Sequence, residues 1–260
     1  MKQQLQELFS YRALLYMIVW RDIKVRYKQS VMGVLWAILM PVLIVGAGIV
    51  VRYAYAVASH TPLRFDDVIV VSVKSIPWAF LVSSVRFSCQ SLISNSNLVT
   101  KIYFPKEIFP IAAVASQLFD FTVASAALVV LLAVTHTGFS VYLLWGPVLL
   151  FTLILLAVGI GLLVSAGSLF LRDVKYIVEV FLTFGIFFTP VFYDSAMFGQ
   201  KGRYLLLNPA APILEGFASV IQRQPPNYAW LAYSFVFATV TALVSYTVFK
   251  KAEPAFAESI

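Results

Sequence analysis

Residues 141–171, VYLLWGPVLLFTLILLAVGIGLLVSAGSLFL, run for 31 positions without one charged side chain. About 20 predominantly apolar residues are enough to cross the hydrocarbon of a bilayer as a helix. A run this long that does not alternate polar with apolar satisfies its backbone in lipid only through bonds within the segment, so it reads as a transmembrane helix and not as barrel strands. Working outward, the same pattern recurs at 31–51, 68–87 (with Lys74 inside it), 108–135, 177–193 and 228–249. The expected class is an all-α integral membrane protein with six spans, in wider bounds about 31–56, 67–94, 108–135, 141–171, 176–195 and 228–250.

The bulk composition agrees. Of 260 residues, 61% are hydrophobic and 12% charged, and the mean hydropathy is +0.88, far from soluble averages. The formal net charge of +7 would raise nucleic acid as a partner in a soluble protein, but here its distribution matters more. With the N-terminus inside, Lys2, Arg12, Arg21, Lys24, Arg26, Lys28, Arg86, Lys101, Lys106, Arg172, Lys175, Lys250 and Lys251 lie on the cytoplasmic side, 13 of the 19 cations. Five lie outside. The positive-inside bias places both termini in the cytoplasm, in a multi-pass protein of the inner membrane, and argues against nucleic acid binding. Cys89 is the sole cysteine, so an intrachain disulfide and a thiolate metal cluster are excluded. The apolar run 13–20 is followed by RDIKVRYK and not by a small-residue cleavage site, so the N-terminus reads as mature.

Residues 1–29 form an expected amphipathic interface helix. Leu8, Tyr11, Leu15, Val19, Ile23 and Tyr27 recur every three or four positions as one apolar stripe, Arg21, Lys24 and Lys28 mark another face, and Asp22 precedes Arg26 by one turn. Such a helix lies along the inner leaflet, anchoring the first span, and its cations are placed to meet an anionic headgroup. Residues 194–228 hold two modest apolar pieces around the Asn208-Pro209 turn signal. Pro212 stands where a helix could start, with Glu215 in its first turn. Two short re-entrant helices over about 198–223 fit this pattern.

Phosphate-loop, zinc-protease and paired-cysteine motifs are missing, and His60 and His136 fall in outer loops. Ionisable groups within spans are Lys74, Arg86, Asp120 and Glu179. Only Asp120 lies near a midplane, where it serves either as a proton relay or as the partner of Lys74, Arg86 or a neighbouring chain. The sequence thus holds a path across the membrane without a visible energy source.

Four ordered segments carry a resemblance: RDIKVRYKQSVMGVLWAILMPVL (21–43), NSNLVTKIYFPKEIFP (95–110), RDVKYIVEVFLTFGIFFTPVFY (172–193) and LNPAAPILEGF (207–217). Together they resemble the polysaccharide and polyol-phosphate export permeases, the ABC-2 type subunits that export O-antigen, capsule or teichoic acid. The resemblance implies a homodimer driven by two copies of a separate cytoplasmic ATPase, with ATP and Mg on that partner and no cofactor in this chain. It also implies that the connection at about 95–106 is a short coupling helix docking into the ATPase.

In that reading Asn95 or Asn97 caps the helix and Leu98, Ile102, Tyr103 and Phe104 anchor it. Lys101, Lys106 and Glu107 form a polar rim, and Pro105 ends it; an ordinary solvated loop is the alternative. The implied cargo is a glycan on a polyprenyl diphosphate, for which Arg21, Lys24, Arg26 and Lys28 are candidate ligands. Aromatic residues Tyr53, Tyr55, Phe181, Phe184, Phe188 and Phe192 are candidate lining for its path. A permease for small lipids or drugs and a proton-coupled carrier remain as alternative functions.

Overall fold

The computed structural model describes residues 10–28, 32–60, 62, 64–101, 104–134 and 140–256. Ten α-helices are described in it: α1 Arg12–Lys28, α2 Leu35–Ser59, α3 Phe65–Ser94, α4 Ser96–Lys101, α5 Ile108–Val134, α6 Gly146–Phe170, α7 Val174–Phe188, α8 Gly202–Leu205, α9 Ala210–Ile221 and α10 Tyr228–Ala252. A 3-10 turn, Val141–Trp145, leads into α6, and another, Ser195–Lys201, precedes α8. Strands are absent among the described residues. Helices are the outcome the apolar runs require, since lipid offers no partner to an unpaired peptide group.

Helix α3 is the hub. Thirty residues long, it packs on α2, α5, α6, α7 and α9, and its middle is almost wholly buried. Small side chains let α6 approach it closely. Ser91 Oγ lies 3.0 Å from Ser165 Oγ, and Ser168 Oγ donates to the Cys89 carbonyl. A Cβ on Gly161 would sit 2.8 Å from Ser88 Oγ. On its other side α6 meets α10, where a Cβ on Gly159 would come within 2.9 Å of the Ala242 backbone nitrogen. Helices in lipid associate through such close packing, because the tails are as apolar as leucine. Gly159→Val is expected to prise α6 from α10 and cost about 1–3 kcal/mol, as overpacking does. An unchanged thermal midpoint of the purified protein would refute that close contact.

Five helical stretches among the described residues are long and apolar enough to cross a membrane: Leu35–Ala58, Phe65–Ser94, Ile108–Ala133, Val141–Phe170 and Tyr228–Ala255. The run expected as a span at 176–195 is shorter than its apolar sequence. Helix α7 stops at Phe188 because Thr189 precedes Pro190 and takes extended geometry, φ −116° and ψ 135°, as residues before proline do. Its 15 residues reach about 22 Å at 1.5 Å each. The first span also runs further than its narrow bounds, from Leu35 to Ser59. The turn into α2 uses Gly33 at φ +52°, a backbone state glycine adopts without penalty.

The segment before the last span is helical in short pieces, as its sequence pattern suggests. Helix α9 begins at Ala210, so Pro212 lies inside the first turn, and Glu215 falls in the second turn instead of the first. Its carboxylate has a partner other than the helix dipole: it accepts from Ser195 N at 2.7 Å and from Ser195 Oγ at 2.9 Å. Asn208 makes the turn into α9 by accepting from Ala210 N at 3.1 Å, while its Nδ2 donates to Thr189 Oγ1 at 2.8 Å. The break after α7 and the start of α9 are thereby tied together. The buried side of α9 packs on α3, α6 and α10.

Candidate functional site

At one end of the bundle sit α1, α4 and the chain ends of α3, α6 and α10. In α4, Asn97 and Lys101 are exposed, Leu98 is half-buried and Val99 is buried. Asn95 opens α4 through its carbonyl, which accepts from Val99 N at 3.1 Å, and not through its side chain. It ends α3, its Nδ2 donating to the Ser91 carbonyl at 2.7 Å. Ile102 and Tyr103 lie outside the described residues.

The segment that follows is not the exposed anchor and polar rim expected from its aromatic and charged content. Phe104 is 5% exposed and packs edge-on against Phe109, 5.5 Å between centroids, in a cluster that includes Phe249, Phe256 and Ile18. Pro105 is buried beside it. Lys106 Nζ folds back to the Val99 carbonyl at 2.6 Å, and burial pulls its ammonium below the ordinary lysine value, with Glu253 partly offsetting this. Glu107 is fully buried against Lys250, 2.8 Å from Nζ. Lys250 also pairs with Glu253 at 2.9 Å, and Glu253 accepts from Lys106 N at 3.0 Å. These residues staple the α4–α5 connection to the end of α10. A buried phenylalanine has no surface left to offer a partner.

Helix α1 turns its stripe inward. Tyr11, Leu15, Val19, Ile23 and Tyr27 are half-buried, and the helix packs on α5; Leu8 lies outside the described residues. A second apolar set, Tyr16, Met17, Trp20 and Val25, faces outward, which suits a helix lying in an interface. The cations divide. Arg21 pairs with Asp22 at 2.8 Å, so the expected Asp22 to Arg26 pair does not form. Lys24 Nζ lies 5.2 Å from the Trp20 ring centroid, and Lys28 is exposed. Arg26 instead reaches α5, with Nη1 at 2.6 Å from Asp120 Oδ2 and 3.1 Å from Gln117 Oε1, and Nη2 at 3.2 Å from Ser116 Oγ.

The partners foreseen for Asp120 are thus replaced by Arg26 and Tyr27, whose hydroxyl donates to Oδ1. Burial and that carboxylate push the Tyr27 phenol up to about 12, keeping it a donor. Arg86 is engaged elsewhere, bonding Glu179 through Nε at 2.9 Å and Nη2 at 2.6 Å and joining α3 to α7.

Lys74, buried with 0% exposure, finds its acid at the opposite end of the bundle. Its Nζ pairs with Asp194 and donates to the Tyr193 carbonyl at 3.1 Å. Arg52 completes the group, 2.7 Å from Asp194 Oδ2, 3.1 Å from Asp67 Oδ1 and 2.8 Å from the Phe192 carbonyl. Asp194 and Arg52 were not singled out by sequence as partners of Lys74. The available signal was that a cation inside a span needs a carboxylate, and acids flank the span ends.

The aromatic candidates separate into two groups. Phe181 (74%), Phe184, Phe188 (70%), Tyr53 (61%) and Tyr55 are exposed on α7 and α2. Phe192 is 4% exposed, its ring packing where a Cβ on Gly48 would stand 2.8 Å away. It fills the joint between α2 and the end of α7 and lines no open surface.

A hub of buried, tightly packed helices, with charges neutralised in pairs and exposed apolar residues on α2 and α7, is the build of a multi-span membrane protein. The chain belongs to the ABC-2 type transporter family, whose model matches residues 13–221. It is a transport subunit by that membership. Among relatives, it is 26% identical over 260 residues to two proteins of Klebsiella pneumoniae named O-antigen export system permease protein RfbA, covering 99% of this chain and 98% of each of them. A protein of the same name from Myxococcus xanthus is 27% identical, with 98% of each chain covered.

Proposed function

We propose that the chain is the permease subunit of an ABC exporter that moves an O-antigen-like polysaccharide, linked to a polyprenyl diphosphate, across the inner membrane. The observation that carries this reading is likeness over the full length to three proteins named as O-antigen export permeases, within a family match across most of the chain. Two copies would associate through the open faces of α2 and α7, with α7 as a sixth, short span and the pieces from Ser195 to Ile221 as its re-entrant partner. Both termini would be cytoplasmic, where two ATPase subunits supply ATP and Mg. Arg21, Lys24 and Lys28 would meet the diphosphate, Arg26 being held by Asp120.

The exposed residues of α4, Asn97 and Lys101, are the surface left for the ATPase. Surface substitutions usually alter stability by no more than about 0.5 kcal/mol, so Asn97→Lys with Lys101→Glu should leave the bundle folded. Co-purification with the ATPase and ATP-driven export should fall at least tenfold. Normal export by this variant would remove α4 from the dock, and transport by the purified chain without any ATPase would overturn the exporter reading in favour of a carrier.

The path is tested on α7. Phe181, Phe184 and Phe188 share one side by helical spacing, whereas Phe187, also exposed at 59%, lies to the side of that row with its ring edge-on to Phe192, 6.4 Å between centroids. In a Cys89→Ser background, single cysteines at 184 and 188 should react with a membrane-impermeant thiol reagent during ATP turnover, and one at 187 should not. Uniform protection in a complex that still exports would take α7 out of the path.

A further inference from the structure

Two voids adjoin around Arg26 and Phe87. The first, about 420 Å³, lies between α1, α2, α3, α5 and α7, and its walls include Trp36, Met40, Ile44, Trp78, Phe121 and Ile186. This is the size and apolar character of a ligand pocket. The second, about 450 Å³, is a groove of mixed lining between α1, α3 and α5, more polar than the first, where Arg21, Gln90, Ser94 and Asn95 gather. Arg26 and Phe87 line both. The two voids therefore adjoin at a guanidinium, the groove with the more polar lining and the cavity with the more apolar one. That is the polarity order of an amphiphile. The three arginines that line the voids are each paired with an acid, Arg21 with Asp22, Arg26 with Asp120 and Arg86 with Glu179. Exposed Lys24 and Lys28 flank them on α1, so the charge favours an anionic head.

We propose that each copy of the chain holds one anionic phospholipid of the leaflet beside α1, its phosphoryl head in the groove at Arg21, flanked by Lys24 and Lys28, and one acyl chain in the cavity. An empty apolar void forfeits the dispersion contacts of its lining, and a chain restores them. The volume selects a bilayer lipid over a polyprenyl carrier: 420 Å³ is about fourteen water-sized volumes at ~30 Å³ each, the bulk of one acyl chain, and a polyprenyl chain of several tens of carbons overfills it. Position agrees. Leu182 and Ile186 face the cavity, while Phe181, Phe184 and Phe188 do not line it and remain exposed. The lipid thus supports α7 from the side opposite its exposed aromatics, and the site stands on these voids without depending on which cargo is exported.

The test reads binding and not transport, so its failure is separable from failure of the export reading. The full-length chain is released from nanodiscs into a native mass spectrometer. From phosphatidylglycerol it should retain one lipid per chain, at least tenfold more than from phosphatidylcholine. Val82→Trp, which fills the cavity, should abolish retention, and Arg21→Gln should reduce it several-fold. Equal retention of the two lipids, undiminished retention in Val82→Trp, or displacement by added polyprenyl phosphate would overturn the proposal. A tryptophan that unfolds the chain would imitate success, so the wild type is also labelled with phosphatidylglycerol carrying a mid-chain diazirine. Crosslinks to Ile44, Ile76 and Ile186 are expected, and crosslinks confined to exposed positions such as Val50 and Val180 would refute the site.

Discussion

Asp194→Asn is expected to destabilise the folded chain by about 3–5 kcal/mol, the cost of leaving a buried charge without its partner. The substitution is nearly isosteric, so the effect is electrostatic. Lys74 has no exposed surface and would keep only neutral acceptors, the Tyr193 carbonyl and the new amide oxygen, while Arg52 would keep Asp67 and the Phe192 carbonyl. The joint after α7 hangs on these contacts, so the loss should show both as a lower thermal midpoint and as little protein inserted in the membrane. Adding Lys74→Met removes the stranded ammonium and should recover a substantial part of the stability. A double variant no better than the single one would mean that Asp194 acts through Arg52 and not through Lys74.

The second large effect is expected at Asp120. Asp120→Asn strands Arg26 between α1 and α5, but Arg26 keeps Gln117, Ser116 and the Phe87 ring 4.5 Å away. The cost therefore falls near the low end of the range, about 3 kcal/mol. Because this pair and the Tyr27 hydroxyl join α1 to α5, spin labels on the two helices should report a broadened distance distribution. An unchanged distribution with an unchanged midpoint would show that apolar packing alone holds α1. The same variant separates the two roles considered for Asp120. Export per folded complex that persists in Asp120→Asn excludes a proton relay, whereas complete loss in a complex that remains folded and keeps its ATPase would favour one.

Asp120 also shows how far sequence reading carries. Its depth and its need for a partner were legible, since a carboxylate ten residues into an apolar run has few places to be. Its partner was not. Lys74 and Arg86 are the cations inside spans, yet the helix that reaches Asp120 is the interface helix, 94 positions away along the chain. The opening of the α4–α5 connection misleads in the same manner. Aromatic residues between two spans suggest an exposed anchor, but Phe104 meets a core built from α1, α5, α6 and α10, and its burial follows from where those four helices converge.

By itself the sequence determined that this is a helical membrane protein, where its apolar runs lie, and that turns fall at Asn208-Pro209 and beside Pro105. Those outcomes depend on backbone groups that must be satisfied within a few residues, so local sequence suffices. The tertiary structure decided which charges pair, which aromatics are buried, and that two voids adjoin at Arg26 and Phe87. The early end of α7 belongs between the two: the Thr189-Pro190 dipeptide is a local stop signal, but Lys74, Arg52 and Asn208 hold the chain that follows it. Pairing and burial depend on which helix faces lie together, and that is settled by many small contacts between residues distant in the chain, each about 0.1–0.2 kcal/mol per atom pair, which no single stretch of sequence contains.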